Sequence, residues 1–278
     1  MARILNGNEL SKVIKNEIKT EIERYNLKVG LAVILVGDDP ASHIYVKHKK
    51  NDCAECGIVS YEHVLPENAT TEQLLALIDK LNANPDVNGI LVQQPLPKQI
   101  DVTAANERIN PLKDVDAFRA DNVGRITIGD YVLPSCTPAG VIEILKREVI
   151  QIAGKNCVVV GRSNIVGKPM AMLLLHEHGT VTICHSKTAN LKEVCKNADI
   201  LVAAIGRANF ITADFVKEGA VVIDVGINRD ENGKLCGDVN FAEVEPLASA
   251  ITPVPGGVGP MTRAMLMKNT LTAKKMQS

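Results

Sequence analysis

Two hydrophobic patterns alternate along this chain. Leu10, Val13, Ile14, Ile18 and Ile22 recur at helical spacing and predict an opening helix. The apolar runs LAVILVG (31–37), VSYEHV (59–64) and VNGILVQ (87–93) are short and β-branched, which predicts strands. Between the first two runs, DDPAS marks a turn, and a helix is expected to start near Ser42 as its N-cap. TTEQLLALIDKLNAN (70–84) has helical periodicity. Strands that alternate with helices argue for a parallel sheet.

The rhythm stops between Pro95 and Pro138, where Pro, Gly, Asp and Asn accumulate and loops are expected. A helix over 139–149 leads into a second series. Its strands are NCVVVG (156–161), TVTIC (180–184), DILVAAIG (199–206) and AVVIDVG (220–226), with helices expected at 168–178, 189–197 and 212–218. A βαβ series of this kind is the pattern of a dinucleotide-binding domain. A last helix (261–275) follows the Pro/Gly segment 253–260 and is expected to return to the first domain.

Composition narrows the class. The 278 residues are 46% hydrophobic and 23% charged, ordinary for a globular protein of one large or two modest domains. Trp is absent and aromatics total 3%, so the core must be aliphatic, as in parallel sheets covered by helices. The net charge of -1, with no like-charge block, argues against a nucleic-acid binder. No run is long enough for a membrane span. Cys53 and Cys56 form a C-x-x-C pair, but no second pair stands at zinc spacing, so no metal site is expected. Cys157 and Cys184 lie in apolar runs and should pack as small hydrophobes. Seven cysteines without a secretory leader point to a reducing, cytoplasmic compartment.

VVVGRSNIVGKPM (158–170) reads as strand, tight turn and helix, with Ser163 in place of the second Gly of the usual fingerprint. Pro169 suits a helix start, and backbone N–H groups there would face a pyrophosphate. About 20 residues after such a turn an NAD enzyme places an acid for the ribose 2′-hydroxyl. Here the next strand ends in His185, Ser186 and Lys187, with Arg162 projecting from the turn. Cationic and hydroxyl groups suit a 2′-phosphate, so NADP is expected.

Tyr45 and Lys49 are four apart and share one face of the helix after the first strand. That face lies at the carboxyl edge of the sheet, where ligands bind. The strand GILVQ delivers Gln93 to the same edge, and the loop NPLKDVDAF (110–118) can bring Asp116 there. At this point the sequence resembles the methylenetetrahydrofolate dehydrogenase/cyclohydrolase family over essentially its whole length. The resemblance rests on YVKHK (45–49), GILVQQPLP (89–97), KDVDAF (113–118), PSCTPAGV (134–141), VVGRSNIVGKP (159–169), TVTICHSKT (180–188), VVIDVGIN (221–228), GDVNF (237–241) and TPVPGGVGPMT (252–262). Three positions depart from the family pattern. Ala117 stands where Gly is usual, Gln94 where Leu is common, and Arg263 where a small apolar residue is usual.

The resemblance implies two α/β domains with a cleft between them, the second a Rossmann-like NADP-binding domain. Residues 1–119 plus 255–278 would bind folate, and 120–254 the nucleotide. It implies oxidation of 5,10-methylenetetrahydrofolate with NADP, then hydrolysis to 10-formyltetrahydrofolate. Lys49 would be the acid/base of hydrolysis, Tyr45 would stack on the folate, Gln93 would tune Lys49, and Asp116 would bind the pterin. Pro255, Gly256, Gly257 and Val258 would line the folate site. Gly161, Arg162, Ser163, Ile165, His185, Ser186 and Ile227 would contact the nucleotide. A homodimer is implied as well. The alternatives are a monofunctional NADP-dependent methylenetetrahydrofolate dehydrogenase, a non-catalytic nucleotide sensor, and a reductase for another substrate. The presence of Tyr45, Lys49, Gln93 and Asp116 together argues against the first two, and the third rests on the nucleotide half alone.

Overall fold

A computed structural model describes residues 1–277, the side chains of residues 40 and 41 apart. In chain order it runs β1 (Arg3–Ile4), α1 (Gly7–Arg24), β2 (Gly30–Val36), α2 (Pro40–Cys56), β3 (Val59–Leu65), α3 (Thr71–Ala83) and β4 (Gly89–Val92). Then come α4 (Val102–Arg108), α5 (Ala120–Ile128), α6 (Cys136–Arg147), β5 (Asn156–Val160), α7 (Gly167–His176), β6 (Thr180–Cys184) and α8 (Leu191–Lys196). The remainder is β7 (Ile200–Ala203), a 3-10 turn (Ala213–Phe215), β8 (Val221–Asp224), β9 (Asn228–Arg229), β10 (Leu235–Cys236), α9 (Phe241–Val244), β11 (Ala250–Ile251) and α10 (Val258–Met276).

The chain forms two compact units. One comprises residues 12–136 and 263–278. Its sheet has the order β3-β2-β4, all parallel, and a parallel bridge between Ile90 and Asp114 extends it beyond β4. Every residue of β2 is buried, as expected of a central parallel strand covered on both faces. Ile34, Ile90, Leu74 and Ile78 join the sheet to α3 in one aliphatic core. The other unit comprises residues 1–11 and 137–262. Its six parallel strands run β1-β11-β8-β7-β5-β6 around a core that includes Val158, Val160, Leu201, Val222 and Ile251. The strand order reverses between β5 and β7, the position at which a doubly wound sheet binds ligands. The expected α/β architecture with a Rossmann-like second half is therefore present.

Three segments lie across the expected domain division. The N-terminus joins the nucleotide-type unit because β1 pairs with β11, a two-residue pairing too short to leave a period in sequence. Residues 120–136 join the other unit, where Asn122 Nδ2 donates to the Pro111 carbonyl and the Asp114 carboxylate. Residues 255–262 stay with β11, and the Asn8 N–H donates to the Gly256 carbonyl. The last helix carries the chain back to the first unit from Arg263 onward.

Local expectations need four corrections. The cap of α2 is Asp39, not Ser42: both the backbone N–H and the hydroxyl of Ser42 donate to the Asp39 carboxylate, at 2.8 and 2.7 Å. Asp39 sits one residue before a proline suited to the first turn, which decides the register. The stretch expected as loops holds α4 and α5. The Asp101 carboxylate caps α4 through Ala104 N–H at 2.9 Å, a start signal masked by the surrounding turn composition. The helix expected over 212–218 is a single 3-10 turn, because Gly219 at φ +79° closes it and leaves room for no more. The last helix begins at Val258, inside the Pro/Gly segment, rather than at 261.

Candidate functional site

The first site is built on α2, β4 and the loop after β4. Lys49 Nζ donates to Gln93 Oε1 at 2.7 Å. Gln93 is locked in turn, since its Nε2 donates to the Gln94 carbonyl at 2.5 Å, leaving Oε1 to face the amine. Asp116 reaches the same place because the bridge at Asp114 lays residues 113–115 beside β4. Lys113 anchors that segment by donating to the carbonyls of Leu81, Asn82 and Asn84 at the end of α3. Asp114 anchors it from the other side: its carboxylate accepts from Phe118 N–H, Arg119 N–H and Asn122 Nδ2. Asp114 thus shapes the loop, and Asp116 is the acid of this pair that faces Lys49.

Burial dominates the electrostatics. Desolvation lowers the Lys49 pKa below that of an ordinary lysine, against the pull of the Asp116 carboxylate. Desolvation raises the Asp116 carboxyl in the same way, against the attraction of Lys49 and a hydrogen bond from Cys136. An amine whose pKa burial lowers is better suited to act as a base than an exposed lysine.

Two residues of this site were not singled out from the sequence. Cys136, at the start of α6, lies with its sulfur 3.2 Å from the Val115 carbonyl and within reach of the Asp116 carboxylate. Burial and Asp116 keep it a thiol. Asn269 on α10 is buried and donates to the carbonyls of Val115 and Pro134, both at 2.8 Å, so it clamps the Asp116 loop. Neither carried a signal: Asn269 acts on carbonyls 154 and 135 positions away, and Cys136 meets Val115 across 21 positions of turns and a helix. Tyr45, one turn before Lys49 on α2, is half-buried.

The second site is the turn from β5 to α7. Gly161 has φ +145°, and a Cβ there would meet the Ala204 carbonyl oxygen at 2.2 Å. A Cβ on Gly167 would meet the Gly161 carbonyl oxygen at the same distance. The turn is therefore a tight backbone cradle at the switch point of the sheet, which fits close approach by a pyrophosphate. The Ser163 hydroxyl already accepts from the Val166 and Gly167 N–H groups at 3.2 Å, so those two donors face Ser163 instead of open space. The Gly161 N–H donates to the Cys184 carbonyl, which sets Arg162 beside the turn His185–Thr188 that ends β6. Arg162, Ser186 and Lys187 are exposed, and among the described residues their side chains have no protein partner. Ile165 and Ile227 are also exposed, at 40% and 51%, offering apolar surface. These residues suit an adenine dinucleotide that carries an extra phosphate.

Pro255 to Val258 belong to the same unit as this turn. Gly256 has φ +104°, and a Cβ on Gly257 would meet the Pro253 carbonyl oxygen at 2.6 Å, so the segment is a tight turn that opens α10. Cys157 and Cys184 are buried, as expected of small core residues. Cys53 and Cys56 are buried as well, and burial pushes both thiols up to about 12. No described helix is long and apolar enough to cross a membrane.

Known proteins match both halves. The tetrahydrofolate dehydrogenase/cyclohydrolase catalytic domain matches residues 5–116, and the NAD(P)-binding domain of the same family matches residues 135–278. The chain belongs to the tetrahydrofolate dehydrogenase/cyclohydrolase family. It is 60% identical over 280 residues to the bifunctional protein FolD of Acetivibrio thermocellus, covering 100% of this chain and 98% of that one. The bifunctional FolD enzyme of Campylobacter jejuni has the same fold, with a TM-score of 0.97 at 48% identity over 100% of both chains. The Trypanosoma brucei methylenetetrahydrofolate dehydrogenase-cyclohydrolase, solved with NADP and an inhibitor, aligns with a TM-score of 0.93 at 38% identity, covering 99% of this chain and 98% of that one. With both family domains on one chain and full-length bifunctional relatives, the enzyme is a dehydrogenase and a cyclohydrolase, and the monofunctional alternative is set aside.

Proposed function

We propose that Lys49 is the proton-transfer residue of the hydrolytic step and that Asp116, Gln93 and Tyr45 hold the folate and tune that lysine. The observation that carries this reading is the 2.7 Å hydrogen bond from Lys49 to a fixed Gln93, in surroundings that weaken the hold of Lys49 on its proton. NADP, when bound, supplies the acceptor for the hydride that leaves the methylene carbon. The folate nitrogens spread the resulting positive charge, so the chain needs no strong base for oxidation. Hydrolysis does need one. Neutral Lys49 takes a proton from water as the water oxygen bonds to the methenyl carbon. It then returns that proton to the nitrogen whose bond to this carbon breaks, and the second water proton goes to solvent. Asp116 accepts the paired N–H donors of the pterin edge, and Tyr45 stacks on the folate. Pro255, Gly256, Gly257 and Val258 line the folate site.

Gly161, Arg162, Ser163, Ile165, His185, Ser186 and Ile227 hold the nucleotide. The free cationic and hydroxyl groups at Arg162 and Ser186 support NADP over NAD, as does the NADP-bound relative. Seven free thiols support a reducing, cytoplasmic setting, and the family resemblance supports a homodimer. The decisive test is Lys49→Met. Hydrolysis of the methenyl compound should fall below detection while NADP binding, measured by calorimetry, stays intact. Hydrolysis comparable to the parent enzyme would remove Lys49 from the mechanism.

A further inference from the structure

The runs VVIDVGIN (221–228) and GDVNF (237–241) contribute only Ile227 to the sites above, yet they carry two deeply buried carboxylates, Asp224 at 4% exposure and Asp238 at 0%. Asp238 accepts from three consecutive backbone N–H groups in the loop after β7: Ile205 at 2.5 Å and Gly206 at 3.1 Å on Oδ2, and Arg207 at 2.9 Å on Oδ1. Its fourth donor is Asn228 Nδ2, at 2.9 Å, in the segment after β8 and next to Ile227. Asp224, the last residue of β8, accepts in turn from the N–H groups of Gly226, Asp238 and Val239, each at 2.9 Å. Both carboxylates fill space that only glycine leaves. A Cβ on Gly226 would meet Asp238 Oδ1 at 2.4 Å, and one on Gly237 would overlap the Asp224 carboxylate. None of these donors is a cationic side chain, so the hydrogen bonds that hold the two charges come from oriented backbone and amide dipoles.

We propose that Asp238 is a positioning residue for the nucleotide: its carboxylate locks the loops after β7 and β8 into one fixed wall of the dinucleotide site. The inference rests on the nucleotide assignment made above. The strand order β8-β7-β5-β6 puts this wall on one side of the Gly161 turn and the His185–Thr188 turn on the other. The wall abuts the Gly161 turn, because the Ala204 N–H donates to the Val160 carbonyl and the Ala204 carbonyl occupies the space that a Cβ on Gly161 would need. Ile205, the next residue, donates to Asp238. A dinucleotide lies across such a switch point, with one half on each side. Arg162 and Ser186 read the extra phosphate on the β6 side, so the wall serves the half that NAD and NADP share. A carboxylate suits position 238 because three successive N–H groups converge on it. An amide there would turn its own NH2 toward some of those donors, and the loops would move apart.

The test is calorimetric titration of the full-length enzyme with NADP and, separately, with NAD, beside a melting curve. Asp238→Asn should weaken both nucleotides by roughly tenfold or more and by the same factor, so the preference for NADP stays at the parent value. That equal loss sets it apart from Arg162→Ala with Ser186→Ala, which should change the preference. Asn228→Ala removes one donor and leaves the three backbone ones. It should weaken both nucleotides by roughly threefold, and it decides the matter if Asp238→Asn does not fold. Val244→Ala removes buried apolar volume from the same unit and none of these hydrogen bonds, so it should lower Tm and leave both affinities at the parent value. A folded Asp238→Asn enzyme with parental affinities, a loss confined to NADP, an Asn228→Ala enzyme indistinguishable from the parent, or an equal loss of affinity in Val244→Ala would overturn the proposal. Arg162→Ala with Ser186→Ala separates the two levels. If that pair leaves the preference unchanged, the nucleotide assignment fails first; if it shifts the preference while Asp238→Asn stays with the parent, only the role of Asp238 fails.

Discussion

The Lys49 site and the Gly161 turn both lie at the carboxyl edge of a parallel sheet, yet they treat polar groups in opposite ways. Around Lys49 the groups are already engaged with one another: amine to Gln93, Gln93 to backbone, Cys136 to the Val115 carbonyl, Asp52 to Arg263 and Lys15. Around Gly161 the groups proposed to read the extra phosphate, Arg162 and Ser186, are exposed and uncommitted among the described residues. The contrast matches the role proposed for each place. Moving a proton near neutral pH requires a displaced acid–base equilibrium, and burial among fixed neighbours displaces it. Recognising a phosphate requires donors that remain available until the phosphate arrives, and exposure keeps them available.

Mutations can break the contrast, and the largest effect is expected on the engaged side. Asp116→Asn should weaken folate binding by roughly tenfold to a hundredfold or more, as a charged hydrogen-bond acceptor is worth about 1.5–3 kcal/mol. Both activities should fall with it, while NADP binding stays nearly intact. Asp114→Asn should do the reverse, lowering thermal stability because the amide would present a donor to N–H groups that need an acceptor, with a smaller loss of folate affinity. Separate calorimetric titrations with folate and NADP, beside a melting curve, read both variants. Normal folate binding by Asp116→Asn would mean that the pterin contact lies elsewhere.

The exposed side should respond in selectivity. Arg162→Ala combined with Ser186→Ala removes donors that nothing in the protein uses, so stability should hardly change. The preference for NADP over NAD should drop by at least about tenfold, given roughly 1.5–3 kcal/mol for each charge-assisted contact. Equal weakening of both cofactors would show that these residues do not read the 2′-phosphate.

The smallest effect sharpens the picture of the engaged loop. Ala117 is buried and held at φ +57°, a left-handed conformation that costs an L-residue roughly 1–2 kcal/mol. Ala117→Gly relieves that strain but adds freedom to the unfolded chain, worth about 0.4–1 kcal/mol in the other direction. A net gain of about 0–1.6 kcal/mol is expected from the difference, read as a slightly higher Tm. A lower Tm would mean that the methyl group packs better than the backbone suffers.

The residues that act through local pattern were legible in the sequence. Short apolar runs marked the strands β2 to β8, because central parallel strands are buried on both faces, and a 3.6-residue period marked most long helices. The spacing of Tyr45 and Lys49 on one helix face, and the missing acid after β6, were local facts as well. Motif order pointed to the family, and with it to Gln93 and Asp116.

What only the tertiary structure decided was how distant residues meet. The pairing of β1 with β11, the clamp of Asn269 on the Asp116 loop and the ion pair from Arg263 to Asp52 each join positions more than a hundred apart, and the bond from the Cys136 thiol to the Val115 carbonyl crosses 21 positions of turns and a helix. Arg263 read alone as an odd residue at a helix start. Its meaning depends on a buried carboxylate 211 positions away, and a charge becomes interpretable only when its partner and its solvent exposure are known.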